Sequence, residues 1–97
     1  LTSGAHRVDT AHVATVVGVD APRRETPEFV RAHTNQVIGG VSPVGHPAPV
    51  PTYVDSWLRR HPVVWAAAGH PAAVFSTTHD ELLRLTGGTP VEVEPAP

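Results

Sequence analysis

The segment Gln36 to Pro51 reads QVIGGVSPVGHPAPVP and holds the residues best suited to meet a ligand. Gly39 and Gly40 stand side by side, followed by Val41, Ser42, Pro43 and Gly45. A doubled glycine before Ser-Pro cannot sit in a regular helix. It suits a backbone that bends sharply or lets a ligand come close. A plain tight connection between two elements accounts for the same residues. His70 follows Gly69 at the end of the apolar run Val63 to Ala68. Strand ends beside a pocket gather catalytic groups, and a histidine can shuttle protons near neutral pH; the alternative is a turn histidine beside Pro71. Asp55 could orient an amine or a water, or simply cap a helix starting at Ser56. His6 and Arg7 could contact a phosphate or a ribose, or lie in a solvated turn. Trp57 and Trp65 offer ring faces for stacking on a base. Both are expected in the core, Trp65 above all.

Seven histidines raise the question of a metal, but no two stand at i, i+4 and no His-Glu-x-x-His occurs. No metal site and no cofactor is expected. The chain has no Cys, which excludes disulfides and thiolate chemistry. Its seven basic residues are all Arg, and the formal net charge is -2. That is not the balance of a protein that grips duplex nucleic acid by phosphate contacts, so no DNA partner is expected. Contact with RNA should be local or salt-sensitive. No apolar run is long enough for a membrane span.

The elements that must position these residues are short, as 11 prolines and 8 glycines in 97 residues suggest. Val8 to Val17 reads as a helix, capped by Asp9 or Thr10 and ended by Gly18. Asp20 to Glu25 reads as a loop. Thr26-Pro27-Glu28 starts a second helix that ends near Asn35, with Phe29, Val30 and His33 facing inward. Pro47, Pro49 and Pro51 make a stiff exit from the glycine loop. Thr52 to Val54 reads as a short strand, with a one- or two-turn helix through Arg60. The run Val63 to Ala68 suits a strand buried on both faces, and Ala72 to Ser76 a second strand. Thr78 and Glu81 form a capping box for a last helix, stopped at Gly87. Val91 to Glu94 alternates as a half-exposed edge strand does, and residues 95–97 read as a tail.

These pieces, in this order, resemble the YbaK/prolyl-tRNA synthetase-associated domain family. Gly39 to Gly45 is similar to its Gly-x-x-x-Pro loop, and Val54-Asp55 with Leu58 to its strand-then-acid element. Ala67-Ala68-Gly69 is similar to its strand-ending turn, and Glu81 to Gly87 to its last helix. Ser3 to Asp9 fits where the family has a strand entering a helix.

The resemblance implies an α/β fold: a compact mixed, barrel-like sheet with short helices, in one domain over residues 1–94. The N-terminal portion of that domain is expected to be missing. It implies a cytoplasmic aminoacyl-tRNA deacylase that cleaves the ester of mischarged tRNA in trans. The partner is the aminoacylated 3′ end of tRNA, with an aminoacyl-tRNA synthetase as a further one. On this reading the amides of Gly39, Gly40 and Val41 stabilise the oxyanion and His70 joins them in catalysis. Val41, Ser42, Pro43, Gly45, Asp55 and Gly69 hold the substrate.

The family typically carries a functional lysine in an N-terminal strand, and this sequence has none. Nor does it have the hydroxyl residue that often follows the apolar run, where Ala66-Ala67-Ala68 stand. A relative that binds the aminoacyl end without hydrolysis is the alternative, and a small histidine-rich metal carrier is a third reading.

Overall fold

Helix starts and stops are set by local caps. In the computed structural model, which describes residues 1–20, 22–48 and 50–95, α1 spans Thr10–Val17 and α2 spans Pro27–Thr34. The Asp9 carboxylate accepts the His12 N–H at 3.0 Å, and Gly18 closes α1 in the left-handed region at φ 78°. Thr26 accepts the Phe29 N–H at 3.2 Å, and Asn35 ends α2 at φ 61°. Neither helix carries a buried residue. Phe29 and His33 do not face inward as expected. They stack on each other on the exposed side, with ring centroids 3.9 Å apart. Pro49 of the stiff exit and the tail residues Ala96 and Pro97 lie outside the described residues.

The core forms around β1, Tyr53–Asp55. Strand β4, Thr89–Val91, pairs with it in parallel, Val54 opposite Pro90. On the other edge of β1, the Leu1 nitrogen donates to the Tyr53 carbonyl at 2.7 Å, and the Asp55 N–H donates to Leu1 O at 2.8 Å. Residues 1–3 therefore run beside β1 as a further extended segment. Beyond β4, the Asp9 N–H donates to Val93 O at 2.8 Å and ties the start of α1 to the same layer. Val91 and Val93 are buried and Glu92 is exposed, so the expected alternation holds, but the strand itself stops at Val91.

A 3-10 helix, Ser56–Arg60, follows β1 directly. Then β2, Val64–Ala67, and β3, Val74–Thr77, form an antiparallel hairpin with Trp65 opposite Ser76. Helix α3, His79–Thr86, starts at Thr78, whose hydroxyl accepts the Glu81 N–H at 3.1 Å, and ends at Gly87, φ 63°. Only half of the expected capping box forms. The Glu81 carboxylate turns to the Thr77 hydroxyl, 3.0 Å away. Replacing Thr78 by Ala should cost about 1 kcal/mol in urea unfolding.

Two expectations fail. Among the described residues the strands make two two-stranded sheets, and no barrel closes. The run Val63 to Ala68 is not buried on both faces: Val63 and Trp65 are exposed, Trp65 to 68%. A continuous apolar run says that a segment is apolar, not what covers it. Here the hairpin has one partner strand and an open face. The fully apolar core is small, consisting of Val54, Leu82, Val91 and Val93.

Candidate functional site

The glycine loop is held by a residue that sequence reading passed over. The Gln36 side chain spans the bend: its Oε1 accepts the Ser42 N–H at 2.5 Å, and its Nε2 donates to Val44 O at 3.3 Å. Gln36 N–H in turn donates to the Thr34 hydroxyl at 3.1 Å, which anchors the loop to the end of α2. Ser42 Oγ accepts the Val44 N–H at 3.3 Å, and His46 Nε2 lies 2.9 Å from Ser42 O. An uncharged amide that bonds main-chain groups six and eight residues ahead of it has no motif of its own, so only the folded loop reveals it.

The two glycines do different things. Gly39 sits at φ 87° with open space where a Cβ would project. Gly40 is buried; its N–H donates to Val37 O at 3.1 Å, and a Cβ on it would stand 2.5 Å from His70 C and Pro71 N. The amide of Gly40 is therefore spent on the bend, and the residue is a close-packing point against the His70-Pro71 turn. The N–H groups of Gly39 and Val41 have no acceptor among the described residues. Gly69, φ 96°, lies against the Gln36 side chain. Loop and hairpin turn thus form one packed unit.

A cavity of about 580 Å³ opens beside this unit. Its walls are the segment Leu1 to Ala5, the loop residues Val41 and Pro43, Leu58 and His61, the hairpin from Val63 to Ala67, and Leu82 below. The walls are mostly apolar, with a few hydroxyls from Thr2 and Ser3. The volume is that of a small-molecule site. Trp65, exposed on the hairpin, stands at its edge. His61 is the one titratable side chain among the lining residues.

His70 does not line this cavity. It is exposed, its Nδ1 accepts the Ala72 N–H at 3.0 Å, and its carbonyl accepts the Ala73 N–H at 3.0 Å. Gly39, Gly40, Ser42, Gly45 and Gly69 also stand outside the lining, while Val41 and Pro43 are in it. Replacing Gln36 by Ala should free the Ser42 amide and the Val44 carbonyl. We expect a loss of about 1–2 kcal/mol and faster amide exchange across residues 39–45 than elsewhere.

Asp55 is 1% exposed and stands on the far side of the Ser3 to His6 turn. Its Oδ2 accepts the Ser3 N–H at 3.0 Å and meets His6 Nδ1 at 2.8 Å; its Oδ1 accepts the Trp57 N–H at 3.0 Å. Burial pushes its carboxyl up, but the Ser3 and Trp57 amides and His6 outweigh burial and hold it below the usual carboxylate value. So Asp55 caps the 3-10 helix and also clasps the N-terminal turn.

The sequence matches the aminoacyl-tRNA editing domain over residues 1–85. The chain belongs to that family. Its solved relatives agree with this in shape. A proposed trans-editing enzyme for prolyl tRNA synthetase is 45% identical, with a TM-score of 0.90 over 99% of this chain and 60% of its own. A structure from work on epitope backbone grafting onto scaffold proteins is 41% identical, with a TM-score of 0.89 over 100% of this chain and 62% of its own. A hypothetical protein, 25% identical, superposes with a TM-score of 0.78 over 90% and 57%. The chain thus spans less than two thirds of the length of these structures. Among curated proteins none matches it. The editing-domain fold is accordingly a mixed α/β arrangement of short helices and small sheets. Among the described residues no helix is long and apolar enough to cross a membrane.

Proposed function

We propose that the cavity beside the glycine loop receives the acylated 3′ end of a mischarged tRNA, as part of a deacylase that edits in trans in the cytoplasm. The observation that carries this reading is the unspent Val41 amide in the wall of a largely apolar cavity within an editing-domain fold. A small side chain would occupy the apolar part against Ala66, Ala67 and Leu82. The Trp65 ring at the edge suits stacking against the terminal base. The ester carbonyl oxygen would turn to the N–H group of Val41, which carries no other bond among the described residues. Such donors act most strongly where water is scarce.

In hydrolysis, water adds to the ester carbonyl carbon and gives up a proton. The carbon–oxygen bond to the ribose then breaks, and the ribose oxygen takes a proton. The products are a free amino acid and a tRNA with a free 3′ end. His61, the titratable group in the cavity wall, is suited to accept the proton of the attacking water. Ser42 and Pro43 keep the loop in shape, and Gly40 and Gly69 let it seat against the hairpin turn. His70, with Nδ1 engaged in its own turn, positions that seat and does not touch the substrate.

A second reading is binding without cleavage. The cavity lining favours it, because neither Arg nor Asp nor Glu stands among the described residues that line it and His61 is its one titratable side chain. One panel decides. tRNAs charged with Ala, Ser, Cys and Pro are incubated with the protein, and free amino acid is measured. Release above the buffer rate supports the deacylase. Retention of the charged tRNA without release supports the binder. No release and no retention refutes both.

A further inference from the structure

Next to the acyl cavity lies a second one of about 700 Å³, and it has a different chemistry. The wall of the first runs from Leu1 to Ala5, and that of the second begins at His6. The two share the turn Ser3 to His6, closed by the His6 N–H on Ser3 O at 3.0 Å. The ends of such a turn lie within about 7 Å. Both ends are bonded to the same Asp55 oxygen, so the partition is rigid. A chain molecule lodged in the first cavity and leaving over this turn arrives in the second with its next unit.

The second cavity has the charge that the first lacks. Arg59 and Arg60 line it, and no arginine lines the acyl cavity. Arg60 is held in place, its guanidinium 3.1 Å from the centre of the Trp57 ring. The His6 ring stands 4.8 Å from Trp57 and is fixed by Asp55. A planar cation already ordered on an aromatic loses little freedom when it meets a phosphodiester. Glu92 and Glu94 also line this cavity, and Glu94 accepts the Arg7 N–H at 2.7 Å. Carboxylates repel a bare phosphate. They accept the amino groups and ribose hydroxyls that a nucleotide brings with it.

We infer that this second cavity is a nucleotide subsite. It holds the RNA that immediately precedes the esterified terminal nucleoside, with its phosphodiester against Arg59 and Arg60. The inference rests on the acyl cavity receiving the 3′ end.

The test measures binding, not cleavage. The probe is a short single-stranded RNA ending in CCA, titrated at several salt concentrations, with inorganic phosphate as competitor. Wild-type protein should bind the RNA, and millimolar phosphate should not displace it. Arg60→Ala should weaken binding roughly tenfold or more. It should also reduce the slope of log affinity against log salt by about 0.7, the value of one single-strand phosphate contact. Arg60→Lys keeps the charge and loses the ordered plane, so it should fall between the two. Arg31→Ala, a charge-matched change on α2, should leave the affinity as it was. Equal slopes for wild type and Arg60→Ala, equal losses in Arg31→Ala and Arg60→Ala, or no RNA binding would each overturn the subsite. Because no hydrolysis is read, a failed deacylase assay with these results intact would strike only the proposed activity.

Discussion

Asp55→Ala should lose about 3–5 kcal/mol of stability, because it strips a buried acceptor from three polar partners at about 1–3 kcal/mol each. The change leaves the Ser3 and Trp57 N–H groups and His6 Nδ1 without their acceptor, in a place where water does not reach. It also unties residues 1–6 from the edge of β1. A domain of this size has roughly 5–15 kcal/mol in total, so the loss removes a large share of its stability. Asp55→Asn keeps the volume and one acceptor oxygen, and should cost less, about 2 kcal/mol. Urea unfolding followed by circular dichroism measures both. A loss below 1 kcal/mol for Asp55→Ala would mean that the clasp does not hold the N-terminal turn. The same carboxylate sets an acid limit. Its folded pKa lies below that of an unperturbed carboxylate, so its contribution is present above the unperturbed value. The contribution is lost as pH falls through the lower folded value. Wild-type stability should therefore drop at the acid end of the pH range, and Asp55→Asn should flatten that drop.

Gly40→Ala should be nearly as damaging, by about 2–3 kcal/mol, for a different reason. The added methyl would stand 2.5 Å from both His70 C and Pro71 N, and 2.9 Å from His70 Cα. These are main-chain atoms of a turn that already carries the Ala73 N–H on His70 O, so no flexible side chain can move aside. The loop and the turn must separate. That would pull Val41 and Pro43 away from the cavity they line. Gly39→Ala offers the contrast: open space surrounds its Cβ position, and the cost comes only from φ 87°, about 1 kcal/mol. If Gly40→Ala unfolds at the same urea concentration as wild type, the packed unit of loop and turn is wrong.

What the sequence made legible was short in range. Asp9, Thr26 and Thr78 act as caps on groups three residues away, and Gly18 and Gly87 stop helices within one turn. Such pairings depend on neighbours that a reader of the sequence already sees. The order of glycine loop, strand-acid element and last helix was enough to place the chain among editing domains. Burial was not legible. Trp65 and Val63 look like core residues, yet their exposure depends on whether another element covers the hairpin. The clasp of Asp55 was not legible either, because its partners Ser3 and His6 lie 52 and 49 residues away. Asp55 was expected as a helix cap or a substrate contact. It is the cap, and it is also the pin for a turn that no local pattern connects to it. His70 and His61 show the same limit. Each stands at the end of a short element, and only the fold tells which one borders the cavity.

The central claim is that an acylated terminal nucleoside enters between the N-terminal segment, the glycine loop and the hairpin. The direct measurement is a two-dimensional amide NMR titration with adenosine whose 3′ position carries an amide-linked, non-hydrolysable alanyl group. The account predicts the largest shifts at Ser3, Gly4, Val41, Ala66 and Ala67, with a smaller response at Gly40, whose N–H is already bonded. Shifts confined to α1 and α2, or none at concentrations up to the solubility of the ligand, would contradict it.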